Sequence, residues 1–288
     1  MTRYSLMLSI SLGLALAACG EKDDDDADDD ADGDGLSASE EEDLGSDPDN
    51  ADSDGDGLDD GVEAEMGTDP VMADSDGDTY WDSWEDVEGT DPLDEESRIY
   101  EGYWPYQPDK DAFESTDWDD FEADEGQFLP RHVMVDQWGQ EVDLHDFAGQ
   151  GKYVMIDVSA IWCGPCNGLA SWLTDGRDDY GYDSTWPEIK ELVESQSIYW
   201  ITVLVQDNNG AVPDLDDIEG WYDDYEDPYV PVFADNEEWI NIAPAYPSMY
   251  LFSPELELLS GPGNINHYKP MDDLADMADD LMAEATGE

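Results

Sequence analysis

The chain has 288 residues and carries 78 Asp and Glu against 9 Lys and Arg, for a formal net charge of -69. That balance excludes nucleic acid as a partner, because phosphate binding needs Lys and Arg to displace counterions. Residues 21–126 are crowded with Asp, Glu and Gly, whereas 127–288 hold most of the Val, Ile and Leu; one core of roughly 160 residues is therefore expected. Of the acidic residues, 33 lie in 127–288 beside five Lys and Arg, so the excess runs beyond any acidic tail. Such a surface suits high salt, divalent cations or plain solubility.

At the start, Met1-Thr2-Arg3 is a short basic segment, 6–17 an apolar stretch, and Leu16-Ala17-Ala18-Cys19 closes it with small residues before a cysteine. This resembles a bacterial lipobox. The resemblance implies a signal peptide over 1–18 and acylation of Cys19 by several chains, as stable membrane anchoring requires. Gly20 stands where Asp would favour inner-membrane retention, so the outer membrane, on its periplasmic or surface face, is the expected location. An ordinary signal peptide with a chance cysteine is the alternative. A spanning helix fits less well, since the apolar run is short and charge follows at once. Residues 19–29 are then an acidic tether, self-repelling and extended.

From Asp30 the chain repeats every 22 residues, with Gly45-Ser46-Asp47-Pro48, Gly67-Thr68-Asp69-Pro70 and Gly89-Thr90-Asp91-Pro92 in register. Acids fall at loop positions 1, 3, 5 and 12: Asp30, Asp32, Asp34 and Glu41; Asp52, Asp54, Asp56 and Glu63; Asp74, Asp76, Asp78 and Glu85. That spacing suits calcium, which takes six to eight oxygens and is closed by a Glu at position 12. Gly35 and Gly57 supply the turn at position 6, where the third loop has Thr79; Asp60 and Asp82 supply an acid at position 9, where the first loop has Ala38. The units over 30–95 resemble thrombospondin type 3 repeats of bacterial surface proteins, which implies structural calcium. An acidic spacer without defined sites is the rival reading.

Residues 96–126 are rich in Tyr, Trp, Phe and Asp and read as a linker that packs on the next domain. From 127 strands and helices alternate. Strands are expected at 132–136, 141–144, 153–159 and 198–206, with a hairpin at 248–253 and 256–259. Helices are expected at 166–173, 187–195 and 271–285. The long acidic, aromatic stretch 207–245 reads as an insertion, in which Trp221, Tyr222, Tyr225 and Trp239 either line a substrate groove or pack ordinarily.

Trp162-Cys163-Gly164-Pro165-Cys166 follows an apolar strand and opens a helix. A sulfur at a helix N-terminus meets unpaired N–H groups and the positive dipole end, which favour the reactive thiolate. Cys163, at the exposed edge, is the expected nucleophile, and Cys166, one turn inward, the resolving thiol. A zinc half-site would have to recruit two of His132, His145 and His267; a static disulfide closing so short a loop would remove little unfolded-state entropy.

Residues 149–166, with the preceding Gly139-Gln140-Glu141-Val142-Asp143-Leu144-His145-Asp146-Phe147-Ala148-Gly149, resemble the TlpA/ResA and AhpC-TSA branches of the thioredoxin superfamily. The resemblance spans about 127–285 and implies, for a domain over 127–288, an α/β fold, a thioredoxin-like mixed sheet flanked by helices. By position, it implies that Asp157 is the buried carboxylate that takes the Cys166 proton. Pro247, after Tyr246, corresponds to the cis-proline facing the cysteines. Asn167-Gly168 depart from the basic residue and Glu usual after the second cysteine. The resemblance implies an envelope thiol-disulfide oxidoreductase, of reducing type by Gly164-Pro165, with disulfide-bearing envelope proteins and an upstream thiol donor as partners and no redox cofactor beyond the dithiol. Rival functions are a calcium-dependent surface scaffold or adhesion protein and a peroxiredoxin-like peroxidase, which would need a Thr-containing loop and an Arg partner.

Overall fold

The computed structural model describes residues 30–235, 238–262 and 266–286. The expected signal peptide, Cys19 and the tether lie outside them. Among the described residues no helix is long and apolar enough to cross a membrane. Two compact units divide between Val71 and Met72.

The first unit holds two loops and two seven-residue helices, α1 (Ala38–Leu44) and α2 (Asp60–Met66). The loop aspartates hold backbone N–H groups: Gly33 donates to Asp30, Leu36 to Asp34, Gly55 to Asp52 and Leu58 to Asp56, all at 2.7–2.8 Å. These Asx turns fold the chain back on its own carboxylates. The helices end where Gly45 and Gly67 take φ of 91°, a left-handed cap that suits glycine. The position-12 glutamates Glu41 and Glu63 sit within these helices.

The second unit opens with the third loop, built the same way, and α3 (Asp82–Glu88). Thr79 takes φ of 93° at the position where the other loops have glycine, so the turn survives with a side chain in a strained region. There follow β1 (Val133–Asp136), β2 (Glu141–Asp143), β3 (Val154–Ser159), α4 (Gly164–Thr174), α5 (Tyr182–Thr185), α6 (Pro187–Glu194) and β4 (Tyr199–Leu204). The chain continues through α7 (Leu215–Asp224), β5 (Val232–Ala234), α8 (Trp239–Ile242), β6 (Ser248–Phe252), β7 (Leu258–Ser260) and α9 (Lys269–Thr286). The strands form one mixed sheet in the order β2-β1-β5-β4-β3-β6-β7, with β3, β4 and β5 parallel. This is the α/β, thioredoxin-like arrangement that the sequence implied.

One stretch differs. Within 207–245, expected as an insertion, β5 is a sheet strand that joins the β1–β2 hairpin to β4. Its three residues are too few to stand out among acids and aromatics, and only pairing on both sides holds them extended.

Side chains alternate across the sheet and so divide the core. Met155, Trp200, Met249 and Leu251 face α4, α6 and α9, meeting Leu169, Trp172, Ile189, Leu192, Met271 and Leu274. On the other face Ile156, Val158, Ile201, Val203, Tyr250 and Phe252 pack with Tyr80, Tyr100, Trp104, Tyr106 and Phe121. The core therefore extends well before residue 127. A sheet apolar on both faces must be covered on both, and here the third repeat and the aromatic segment supply the second layer.

Two buried carboxylates fasten that layer. Asp136 accepts from Trp104 Nε1 at 3.0 Å and from the backbone N–H groups of Trp138 and Gln140. Asp146 accepts from Tyr100 OH at 2.8 Å and Gln107 N at 2.9 Å, and pairs with Lys110. Tyr80, at position 7 of the third loop, donates its hydroxyl to Trp104 O at 2.7 Å. Tyr80→Phe is expected to cost about 1 kcal/mol and Tyr80→Ala about 3–5 kcal/mol of stability, measured by urea unfolding of the full chain. No loss in either variant would show the third repeat to be energetically separate from the sheet.

Candidate functional site: a dithiol at the end of the central strand

β3 is buried at all six residues, paired with β4 on one side and β6 on the other. It delivers the chain to a turn in which Cys163 caps α4 with extended backbone, and Pro165 occupies the first helical turn, where a missing N–H costs nothing. Cys163 and Cys166 are joined in a disulfide with Cα atoms 5.3 Å apart. The Cys166 backbone N–H points at Cys163 Sγ, 3.2 Å away. The Tyr246–Pro247 peptide is cis, and Tyr246 O lies 3.4 Å from Cys163 Sγ. Cys163, Cys166 and the Tyr246–Pro247 peptide therefore meet at the turn that follows β3, the strand that also carries Asp157.

The expected exposure of Cys163 is corrected: it is 3% exposed, hardly more than the 0% of Cys166. Tyr246 packs against the cluster that contains it, and the Trp162 and Tyr246 rings meet edge to face at 5.9 Å. Trp162 itself is 52% exposed, with its indole N–H on Gln206 Oε1 at 3.1 Å. Gln206, which follows β4, carried no signal in the sequence.

The two departures after Cys166 have structural work. Asn167 Nδ2 donates to Cys163 O at 2.6 Å and to Ile161 O at 3.0 Å, while Asn167 Oδ1 accepts from Tyr225 OH at 2.7 Å. Asn167 thus ties the cysteine turn to the segment after α7. A Cβ on Gly168 would fall 2.2 Å from Tyr180 Cδ2, so glycine is what lets that ring lie on the helix. Of the four aromatics named as groove candidates, Trp221 and Trp239 are buried, and Tyr225 is spent on Asn167.

Asp157 shares the α4-facing side of β3 with Met155 and is 2% exposed. Burial raises its carboxyl to about 7, against the lowering effect of Ser159, whose hydroxyl donates to Asp157 Oδ1 at 2.7 Å. A cavity of about 10 Å³ touches Asp157, Ala170 and Thr202, about the space one water molecule needs. The site therefore holds a Cys163–Cys166 disulfide at the start of a helix and, on the preceding strand, a carboxyl that can exchange a proton near neutrality.

The loops form a second candidate site, of acidic oxygens. Asp30, Asp32 and Asp34 bring ligand atoms within 4.8 Å of one another, as do Asp52, Asp54 and Asp56, and Asp74, Asp76 and Asp78. Asp32 Oδ2, Asp76 Oδ2, Asp78 Oδ2 and Glu85 Oε2 are buried with no hydrogen-bond partner. Burial raises Glu85 to about 7, against the Thr90 hydrogen bond and with Asp78, Asp76 and Asp82 adding repulsion. Mutually repelling carboxylates, each with a buried oxygen that lacks a hydrogen-bond partner, fit a bound divalent cation, and calcium suits such oxygens best. All possible metal groups among the described residues are made of Asp and Glu, so none supports the zinc half-site.

The Bacterial TSP3 repeat family matches residues 30–51, 52–73 and 74–95. Residues 30–95 are three bacterial TSP3 repeats. No curated protein sequence matches the chain. Among solved structures it is similar to a thioredoxin-like protein from Bacteroides caccae, at 14% identity and TM-score 0.39, over 56% of this chain and 50% of that one. It is also similar to the thioredoxin domain of a thiol-disulfide oxidoreductase from Bacteroides vulgatus, at 15% identity and TM-score 0.37, over 54% of this chain and 98% of that one. A third is the pneumococcal exposed lipoprotein thioredoxin of Streptococcus pneumoniae, at 21% identity and TM-score 0.35, over 51% of this chain and 98% of that one. The chain thus spans half the length of the Bacteroides caccae protein. The fold assignment rests on the sheet order and the site geometry.

The raised carboxyl has a measurable consequence. Unfolded, Asp157 titrates near the ordinary value of about 3.9; folded, near 7, so the folded state holds the extra proton between those values. Ionised Asp157 therefore lowers stability in full above pH 7, and the penalty fades as pH falls toward 4. Asp157→Asn is expected to exceed the parent in stability by about 2–4 kcal/mol at pH 8, with the gain shrinking toward pH 4 in urea titrations. A pH-independent difference would remove the buried-acid account.

Proposed function

We propose that the chain is a thiol-disulfide oxidoreductase of the cell envelope that reduces disulfides of other envelope proteins. The observation that carries this reading is the Cys163–Cys166 pair at the start of α4, with the Cys166 N–H 3.2 Å and Tyr246 O 3.4 Å from Cys163 Sγ. In the reduced enzyme the N–H and the helix terminus favour a Cys163 thiolate. That thiolate attacks one sulfur of a substrate disulfide. A Cys163–substrate disulfide forms, the substrate S–S bond breaks, and its second sulfur leaves as thiolate. Asp157 takes the Cys166 proton, directly or through one water. The Cys166 thiolate then attacks Cys163 Sγ, releasing the other substrate sulfur and leaving the intramolecular disulfide. Two electrons have passed from the enzyme dithiol to the substrate, and an upstream thiol donor restores them.

Tyr246 offers its backbone beside the sulfurs to an extended substrate segment, and Trp162 and the Tyr246 ring form the lips it meets. The peroxidase reading lacks its cation: the three described arginines pair with Glu101, with Asp111 and Asp143, and with Asp175. In the repeats, the loop aspartates and the position-12 glutamates would hold calcium, which would neutralise their charge and take no part in the exchange. Acylated Cys19 would hold the enzyme at the outer membrane, with the acidic tether and repeats as spacer. The scaffold reading keeps one supporting observation, the repeats themselves, and is compatible with redox activity.

Cys166→Ser is expected to accumulate mixed disulfides with envelope proteins on non-reducing gels, while Cys163→Ser accumulates almost none. The parent should reduce insulin disulfides, with either variant slowed at least about 10²-fold, as loss of a nucleophile or its resolving partner implies. Equal trapping by the two variants would reverse the assignment of the attacking sulfur; an inactive parent would leave the scaffold reading.

A further inference from the structure

The first loop lacks an acid at position 9, where Ala38 stands at the start of α1. The missing acid is nevertheless present in space. Asp34 and Glu41 of the first repeat bring ligand atoms within 4.8 Å of Asp60, which opens α2 in the second repeat. Both oxygens of Glu41 are buried without a hydrogen-bond partner, and the residue is 0% exposed. A carboxylate so placed is costly unless a cation meets it. Asp60 is 0% exposed as well and is held in place by its own repeat: Ser53 N donates to Oδ1 at 2.8 Å and Ser53 Oγ to Oδ2 at 2.7 Å. The backbone confirms the close approach, since Gly61 N donates to Asp34 Oδ2 at 3.0 Å and a Cβ on Gly61 would lie 2.3 Å from Asp34 O. Only glycine allows α2 to sit there.

We infer that Asp60 is a ligand of the first calcium site and not of its own loop, so that one ion, shared by Asp34, Glu41 and Asp60, joins the first repeat to the second. The inference rests on the proposal that the repeats take calcium. It reassigns Asp60 from the position-9 role in the middle loop, and it explains why the first loop can dispense with an acid there. Asp34 is common to the loop trio and to the bridging trio, so the ion is held from both repeats. The chain thereby gains a cross-link that exists only when calcium is bound. Seven-residue helices with few apolar residues would otherwise have little to hold them together.

Calcium titration calorimetry of the full chain, stripped with chelator and measured in moderate salt, tests this. Asp34→Asn/Glu41→Gln should lose one equivalent of calcium relative to the parent. Asp60→Asn alone should weaken or abolish the same equivalent, by 10-fold or more in affinity. Adding Asp60→Asn to the double variant should remove nothing further. Gly61→Ala should behave like Asp60→Asn, whereas Ser53→Ala, which removes the hydroxyl that donates to Asp60 and accepts from Asp47 N, should keep every equivalent. Loss of a second equivalent on adding Asp60→Asn, with Ser53→Ala unaffected, would return Asp60 to its own loop and overturn the inference. An unchanged count in Asp34→Asn/Glu41→Gln would overturn it too. A parent that takes up no calcium at all would sink the calcium reading together with the bridge.

Discussion

Burial of β3 along its whole length is the constraint on which the rest depends. Six consecutive residues with no exposed face need a partner strand on each edge and a packed layer on each side. The partner strands are β4 and β6, and they set the site. β3 ends at the cysteine turn, and Pro247 immediately precedes β6, so the antiparallel pairing of β3 with β6 brings Tyr246 O beside Cys163. Asp157 is carried by the same strand, two residues from Met155 on the helix-facing side. The buried acid and the dithiol are therefore positioned by one element.

The two layers over the sheet are unlike in kind. One is helical, with α4, α6 and α9 meeting the sheet through aliphatic side chains and Trp172. The other is drawn from residues that contain little regular structure, with aromatic rings doing the packing and buried carboxylates the fastening. Such a layer suits this composition. Tyr and Trp bury large apolar surfaces while keeping a donor for an acceptor, and acids are the acceptors this chain has in abundance. Asp136 and Asp146 are costly to bury alone, and each is satisfied by donors from the aromatic segment or its neighbours. Acidity here is structural as well as superficial.

At both sites carboxylates act through burial, with different outcomes. Asp157 has one hydrogen bond and no cation, and it responds by holding its proton toward neutral pH. The repeat carboxylates are gathered in threes, where protonation alone would leave several oxygens unsatisfied, and a divalent ion meets the need better. The same chemical group is thus set up as a buried acid that holds its proton in one place and as clustered like charges in the other, according to how many like groups share its pocket.

Short-range pattern carried much of this in the sequence alone. The 22-residue period, the DxDGDG spacing, the WCGPC turn after an apolar strand, and the strands at β1 to β4 and β6 were legible because each is written in residues near one another in the chain. Asp157 and Pro247 were legible only through resemblance to a family. The tertiary structure decided the rest. It made β5 a strand by pairing it on both edges, turned the aromatic linker into a wall of the core, and buried Cys163 beside Tyr246. It also brought Asp60 to Asp34 and Glu41 of another repeat. These are contacts between residues distant in sequence, and local composition sets no term for them: whether a Tyr is exposed or an Asp is a ligand depends on what the fold places opposite it.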